Sequence, residues 1–304
     1  MGSVGTVQER GTPGWRDEVL AWIADVTGLR PVGEVTQRHR AWSTVLRVPT
    51  ADGPVWLKEP VTGMAAEVGL HALLARVAPD AVATPLAVDV ERHRLLLPDT
   101  GPSVRDDGSD PSAALTAALP RYADLQRRLA PHLAAMAALG VPDATPPALP
   151  ARYAEAVATI GGPDRTAEVR AWADELAGTV PSSLDHQDLH AGNVLADGRF
   201  ADWGDAVLAH PFASLLVALG SLRRRLQVTT DDVAVTRPRD AYLEVFTDVA
   251  PRDRLVHLSR VACRAAVVAR ALTWTRGASA DPRFVDAPRE TLAALGDPDW
   301  LAGT

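Results

Sequence analysis

At 304 residues the chain can bury a large core, as one big domain or two smaller ones. A net charge of −7 disfavours nucleic acid and anionic membranes as partners, since both reward a basic surface. Cys263 is the single cysteine, which excludes an internal disulfide and a cysteine-rich zinc site. Residues 1–14 carry no apolar core of a signal peptide, and no apolar run is long enough to span a bilayer. The expectation is a soluble, cytoplasmic, globular protein.

In chain order, Trp15, Val19, Leu20, Trp22, Ile23 and Val26 fall at helical spacing after a flexible N-terminus of residues 1–14. Three strand-like segments follow at 31–38, 43–48 and 54–59, the last two joined as a hairpin by the turn Thr50-Ala51-Asp52-Gly53. Residues 65–77 read as a helix, and 83–88 and 93–97 as short strands. Pro98-Asp99-Thr100-Gly101-Pro102 then punctuates the chain. Beyond it the pattern is helical over about 112–138, 150–178, 211–226, 238–248 and 252–276, with Pro- and Gly-rich joints near 141–150 and 161–164. One β-rich island at 183–205 interrupts the helices. The order predicts an α+β fold of two lobes: a small β-rich lobe at 15–98, a hinge at 99–103 and a larger helical lobe at 104–304.

Two composition counts direct attention to particular residues. Of 31 basic residues Lys58 is the only lysine, and Asn193 is the only asparagine. Where a sequence replaces Lys by Arg almost everywhere, the survivor marks a place where a compact ammonium does what a guanidinium fork does not. Asn193 lies in the β island, Leu184-Asp185-His186-Gln187-Asp188-Leu189-His190-Ala191-Gly192-Asn193-Val194-Leu195, which continues to Asp202-Trp203-Gly204-Asp205. Two short apolar segments flank Asp197-Gly198, a two-residue hairpin signal that puts Asn193 and Asp202 at its two ends. Asp188 precedes it. One base and two metal ligands on adjacent loops is the equipment of phosphoryl transfer, where catalysis is mostly positioning and charge stabilisation. In that arrangement Asp188 takes the acceptor proton, and Asn193 and Asp202 hold magnesium against ATP phosphates.

The run His186-x-Asp188-x4-Asn193 followed by Asp202-Trp203-Gly204 resembles the aminoglycoside phosphotransferase family, small-molecule kinases related to protein kinases. The longer block, Asp185 through Pro211, looks most like actinobacterial glucosamine-kinase-like members. The resemblance implies a protein-kinase-like fold, ATP and Mg2+ as cofactors, and a small-molecule acceptor such as an amino sugar or aminoglycoside. It also implies a strand lysine on the α/β-phosphates, here Lys58, and a helix glutamate holding it, here Glu67. The adenine is expected on backbone groups near Leu97. The nucleotide-covering loop falls near 38–44, where no glycine occurs, so Ser43, Thr44 and backbone amides are expected on the phosphates. Gln187 stands where many members carry glycine, and the Asn193-to-Asp202 spacing is short. Asp205, Asp240, Glu244 and Trp274 are candidates for the acceptor pocket, with the carboxylates suited to an ammonium group.

Other readings remain at this stage. His186-x-Asp188-x-His190 could ligate a transition metal in a metallohydrolase, although the other histidines are scattered. The chain could be a catalytically weak or inactive nucleotide-binding pseudokinase. A protein kinase is disfavoured because no Ala-Pro-Glu segment follows Asp202. Arg223-Arg224-Arg225 reads as a solvated helix end rather than a phosphate site.

Overall fold

The computed structural model describes Arg10, residues 12–278 and residues 281–304. The chain divides into two compact units, one ending at Gly101 and the other beginning at Pro102.

In the first unit, helix α1 (Pro13–Thr27) starts on a Thr12 cap and stops at Gly28, whose φ of 77° suits a residue without Cβ. Strands β1 (Thr36–His39), β2 (Ser43–Thr50) and β3 (Gly53–Pro60) follow, then helix α2 (Ala66–Val77), β4 (Ala87–Asp89) and β5 (Arg94–Pro98). The strands form one antiparallel sheet in the order β1-β2-β3-β5-β4. Trp15, Val19 and Ile23 of α1 pack on Leu46, Val48, Val55, Leu57 and Leu96 of the sheet. Alternation along β3 then decides the orientation of the lysine. Val55, Leu57 and Glu59 are buried, while Trp56 and Lys58 between them are half-buried and point to the other face.

Most of the flexible N-terminus expected at 1–14 lies outside the described residues. Where it is described, it is anchored: Pro13 and Gly14 already belong to α1, and Arg10 is buried. The Arg10 guanidinium donates to the Pro60 carbonyl at 2.6 Å and pairs with Glu59 at 3.1 Å. Glu59 also accepts from Arg94 at 3.1 Å and from the Trp15 indole at 3.3 Å. A buried carboxylate needs such partners, and they lie too far apart in sequence to signal one another.

The second unit holds α3 (Pro111–Leu129), α4 (Leu133–Ala138), α5 (Leu149–Ile160), α6 (Thr166–Leu176), the ribbon β6 (Ser183–Asp185) and β7 (Val207–Ala209), then α7 (Leu215–Leu226), α8 (Val233–Glu244), α9 (Arg252–Ala278) and α10 (Ala287–Ala293). The expected helix over 150–178 is two helices, broken where Gly161, Gly162 and Pro163 occur. Helix α10 carries no strong apolar repeat and was not anticipated.

The hairpin expected about Asp197-Gly198 is rudimentary. Only Val194 and Phe200 form a bridge, and the tight turn runs Leu195-Ala196-Asp197-Gly198, with Gly198 at φ 84° and its N–H on the Leu195 carbonyl. Leu195 forms a bridge with Ser103 instead, so the island's regular partner for β6 is β7. Helix α9, 27 residues long, runs through the core, and among the described residues no helix is long and apolar enough to cross a membrane.

Candidate active site

Strand β6 delivers the loop, and helix α3 holds it. The Gln126 amide donates to the Leu184 and Pro211 carbonyls at 2.8 and 3.0 Å, and its oxygen accepts from the Tyr242 hydroxyl at 2.6 Å. The Tyr122 hydroxyl accepts from the His186 amide at 3.0 Å. Asp185, fully buried at the end of β6, accepts from the Ser214 hydroxyl at 2.8 Å and from the Gln187 amide at 3.0 Å. It also meets the Gln187 side chain. Burial pushes the Asp185 carboxyl above its usual range, against those hydrogen bonds.

Gln187 sits at φ 61°, a region costly for a residue with Cβ, which gives a physical reason why glycine suits this position in the proteins the motif resembles. Asp185 offsets that cost by clamping both its backbone and its side chain.

The next residue is Asp188, and each of its carboxylate oxygens has a donor. Oδ2 accepts from the Asn193 amide at 3.1 Å, and Oδ1 lies 3.3 Å from Nη2 of Arg270. The Asn193 amide also donates to the Asp188 carbonyl at 2.8 Å. With both amide hydrogens used on Asp188, Oδ1 of Asn193 is the end left to meet a cation. The His190 ring accepts from the Gly192 amide at Nδ1, 3.0 Å, which places its proton on Nε2, 3.5 Å from Asp188 Oδ2.

The rudimentary hairpin then returns the chain beside the loop. The Ala201 amide donates to the Asn193 carbonyl at 3.0 Å, and the buried His186 Nε2 bonds the Ala201 carbonyl, also at 3.0 Å. Asp202 follows directly, exposed and at φ 66°. A non-glycine residue held in that region is costly and clusters at working sites. Its neighbour Trp203 anchors it from below, buried with its ring 4.5 Å from His186 and stacked at 6.3 Å on Tyr122.

The His186 ring is thereby committed to packing and to the Ala201 carbonyl. Among the described residues no group of three or more His, Cys, Asp and Glu side chains is placed to hold a metal ion. A metallohydrolase ligand set built on His186-x-Asp188-x-His190 has no counterpart here. The metal ligands expected from the sequence, Asn193 and Asp202, lie on the loop and on its return, which the Ala201–Asn193 hydrogen bond joins.

Arg270 of α9 was not singled out in the sequence. Its guanidinium donates to the Gln187 carbonyl at 2.6 Å, faces Asp205 Oδ2 at 3.4 Å, and lies 4.7 Å above the Trp274 ring. Asp205 receives a second arginine, because Arg276 donates to its carbonyl oxygen at 3.1 Å. Burial raises the Asp205 carboxyl, and Arg270 opposes that rise. Trp274 also stacks on Phe284, at 5.3 Å. Glu244 is exposed at the end of α8, and among the described residues no hydrogen bond or ion pair joins it to the Asp188 cluster. Asp240 pairs with Arg239 and Arg252 at 2.8 and 2.6 Å.

In the first unit, Lys58 Nζ and Glu67 Oε1 are 2.6 Å apart, with Glu67 buried on the first turn of α2. Ser43 and Thr44 lie within β2 and are buried, and the Thr44 hydroxyl meets His39 Nδ1 at 2.8 Å. The turn between β1 and β2 is therefore only Arg40-Ala41-Trp42, shorter than the loop expected at 38–44. Leu97 is in β5, paired with Trp56 of β3.

The same architecture occurs in solved structures. The macrolide 2'-phosphotransferase MphH of Brachybacterium faecium matches with a TM-score of 0.59 and 20% identity, over 94% of this chain and 99% of that one. This chain has the aminoglycoside phosphotransferase fold. The GDP complex of aminoglycoside 2'-phosphotransferase-IIIa matches at 0.59 and 13% identity over 92% and 97% of the two chains. A choline/ethanolamine kinase family protein from Mesorhizobium loti matches at 0.57 and 14% over 94% and 96%. No protein-family model and no curated protein matches the sequence. With the phosphotransferase fold in hand, the small sheet unit and the helical unit correspond to the two lobes expected from the sequence.

Proposed function

We propose that the chain is an ATP-dependent O-phosphotransferase that phosphorylates a hydroxyl of a small polar molecule. The observation that carries this is Asp188 held at both oxygens, by Asn193 and Arg270, with Asp202 brought alongside by the Ala201–Asn193 hydrogen bond. The phosphotransferase fold and the Lys58–Glu67 pair support the same reading.

In the proposed reaction the acceptor oxygen attacks the γ-phosphorus and its proton passes to Asp188. A new P–O bond forms as the bond to the β–γ bridging oxygen breaks, and ADP leaves with that electron pair. Arg270 and Asn193 fix the carboxylate so that little reorganisation is needed. Lys58, steadied by Glu67, binds the α/β-phosphates. Asn193 and Asp202 would hold Mg2+, which supplies charge neutralisation on the phosphates when bound.

An amino sugar or aminoglycoside is the acceptor suggested by the resemblance and by the acidic balance of the chain. The carboxylate expected to meet its ammonium, Asp205, already faces Arg270 and lies beside Arg276, so it adds no support for a cationic acceptor.

The test is ATP consumption with magnesium against a panel of amino sugars, aminoglycosides, neutral sugars, sugar acids and choline-like amines. Acceptor-dependent turnover supports the proposal. Magnesium-dependent ATP binding without turnover across the panel would favour an inactive scaffold.

A further inference from the structure

The face of the catalytic loop bearing Ala191 and Gly192 carries a feature that the reaction above does not use. A cavity of about 200 Å3 lies against it, lined by His190, Gly192, Arg105, Ser221, Leu222 and Arg225. Its floor starts two residues after Asp188, and the whole cavity belongs to the second unit. Arg105 is held there by its own backbone, since its amide donates to the Ala191 carbonyl at 3.0 Å and the Val104 amide to the Val194 carbonyl at 2.8 Å.

The Arg105 guanidinium lies directly across the Cα of Gly192, in space that a Cβ on residue 192 would occupy. A glycine is needed here for that approach and not for backbone conformation, because its φ is not positive.

Arg225 faces the cavity from the last turn of α7. In the arginine run at 223–225, expected as a solvated helix end, Arg224 and Arg225 are exposed and Arg223 is half-buried. Arg223 is consumed by Asp299 and Thr230, and Arg225 lines the cavity. Among the described residues neither the Arg105 nor the Arg225 side chain makes a hydrogen bond or ion pair. The nearby acids are committed elsewhere. Asp106 accepts from Ser103, Asp107 from the Ser109 amide, and Asp110 caps α3. His190 is turned towards Asp188, and burial lowers its pKa, so it adds a neutral ring and not a third charge.

Two exposed arginines with no protein partner among the described residues line one cavity beside the base, a setting that suits an oxyanion. We infer that this cavity is an acceptor subsite for an anionic group, a phosphate, sulfate or carboxylate carried by the molecule whose hydroxyl is phosphorylated. This rests on the phosphotransferase reading, and it makes the acceptor an acidic molecule and not an amine. Leu222, Leu115 and Pro111 supply an apolar wall to the same cavity.

The experiment titrates inorganic phosphate, and acetate in parallel, into the full-length 15N-labelled protein at constant ionic strength, following the Ala191 and Gly192 amides. Shifts at those amides are expected, with affinity about tenfold weaker in Arg105→Gln and weaker still in Arg105→Gln/Arg225→Gln. Acetate shifting them as strongly as phosphate marks a carboxylate acceptor, and phosphate alone marks a phosphate or sulfate. Gly192→Ala, which displaces the guanidinium, should weaken binding as Arg105→Gln does. No response of these amides to either anion, or equal affinity in the double variant, overturns the inference. So does loss of the phosphate response in Lys58→Ala, which would place the ion at the nucleotide site. A magnesium-dependent thermal shift with ATP is read on the same wild-type sample. Its absence would count against the phosphotransferase reading while leaving the anion result to stand separately.

Discussion

Replacing Arg270 by Met keeps an apolar stem over Trp274 and removes the charge that Asp188 and Asp205 share. Arg270 is 10% exposed, and it faces the two carboxylates at 3.3 and 3.4 Å while donating to the Gln187 carbonyl at 2.6 Å. Removing one member of a buried ion pair costs about 3–5 kcal/mol, because the partner charge stays behind. Asp188 and Asp205 retain 27% and 25% of their exposure, so water relieves part of that cost. The expected destabilisation is roughly 2–3 kcal/mol near neutral pH.

The pH dependence has a definite sign. Asp205 already has a raised carboxyl pKa from burial, and losing the arginine that opposes burial raises it further. A group whose folded pKa lies above its unfolded value loses stability as pH rises through the folded pKa. The deficit of Arg270→Met should therefore be largest at the alkaline end and shrink on acidification, where the raised Asp205 carboxyl takes up its proton before that of the unfolded chain. Urea unfolding of wild type and variant across a pH series, followed by tryptophan fluorescence, measures it. A deficit that stays constant with pH, or one below about 0.5 kcal/mol at the alkaline end, would refute the shared-charge account.

Lys58→Arg keeps the charge but not the compact ammonium beside Glu67, so kcat/KM should fall at least about tenfold, about 1.4 kcal/mol, in a folded variant; near-normal turnover would remove Lys58 from the site. Asn193→Ala and Asp202→Ala should abolish turnover, and ATP should raise the Tm of wild type with magnesium but not in EDTA; an equal shift in EDTA would count against these two residues as metal ligands. His210 is buried, its Nδ1 accepting from the Phe212 amide and its Nε2 meeting Thr179, and burial lowers its pKa to about 3. The unfolded chain binds that proton first, so this group's contribution is present above about pH 6.5 and is lost on acidification, by up to about 1.4 kcal/mol per pH unit. His210→Asn keeps a cap acceptor without the titration, so its stability should fall less steeply between about pH 6 and 4; a slope equal to wild type would sink the assignment.

The residues that can be read from sequence are those whose partners are close in sequence or fixed by a short period. Lys58 stands out by composition, and the alternation of β3 turns it away from the α1-packed face. Glu67 lies on the first turn of the next helix, within reach of it. Asp188, Asn193 and Asp202 belong to one loop and its return, so their type and spacing suggest the proposed chemistry without knowledge of distant contacts. The same locality explains the misreadings. The hairpin at 194–200 has turn composition, but Leu195 bridges to Ser103, a partner that no local pattern announces. Thr44 reads as a loop hydroxyl until β2 buries it against His39.

What only the tertiary structure decided lies farther apart along the chain. Arg270 is one arginine among 30 and stands 82 residues from Asp188. Only the packing of α9 makes it the partner of Asp188 and turns Asp205 from a candidate ammonium site into a neutralised carboxylate. Arg105 and Arg225 likewise become a pair only because the chain after Gly101 runs along the catalytic loop while the end of α7 closes over it. Sequence spacing encodes short-range geometry. The charge that surrounds a site is set by side chains that the fold gathers from several elements, and long cationic side chains find their partners only once those elements have packed.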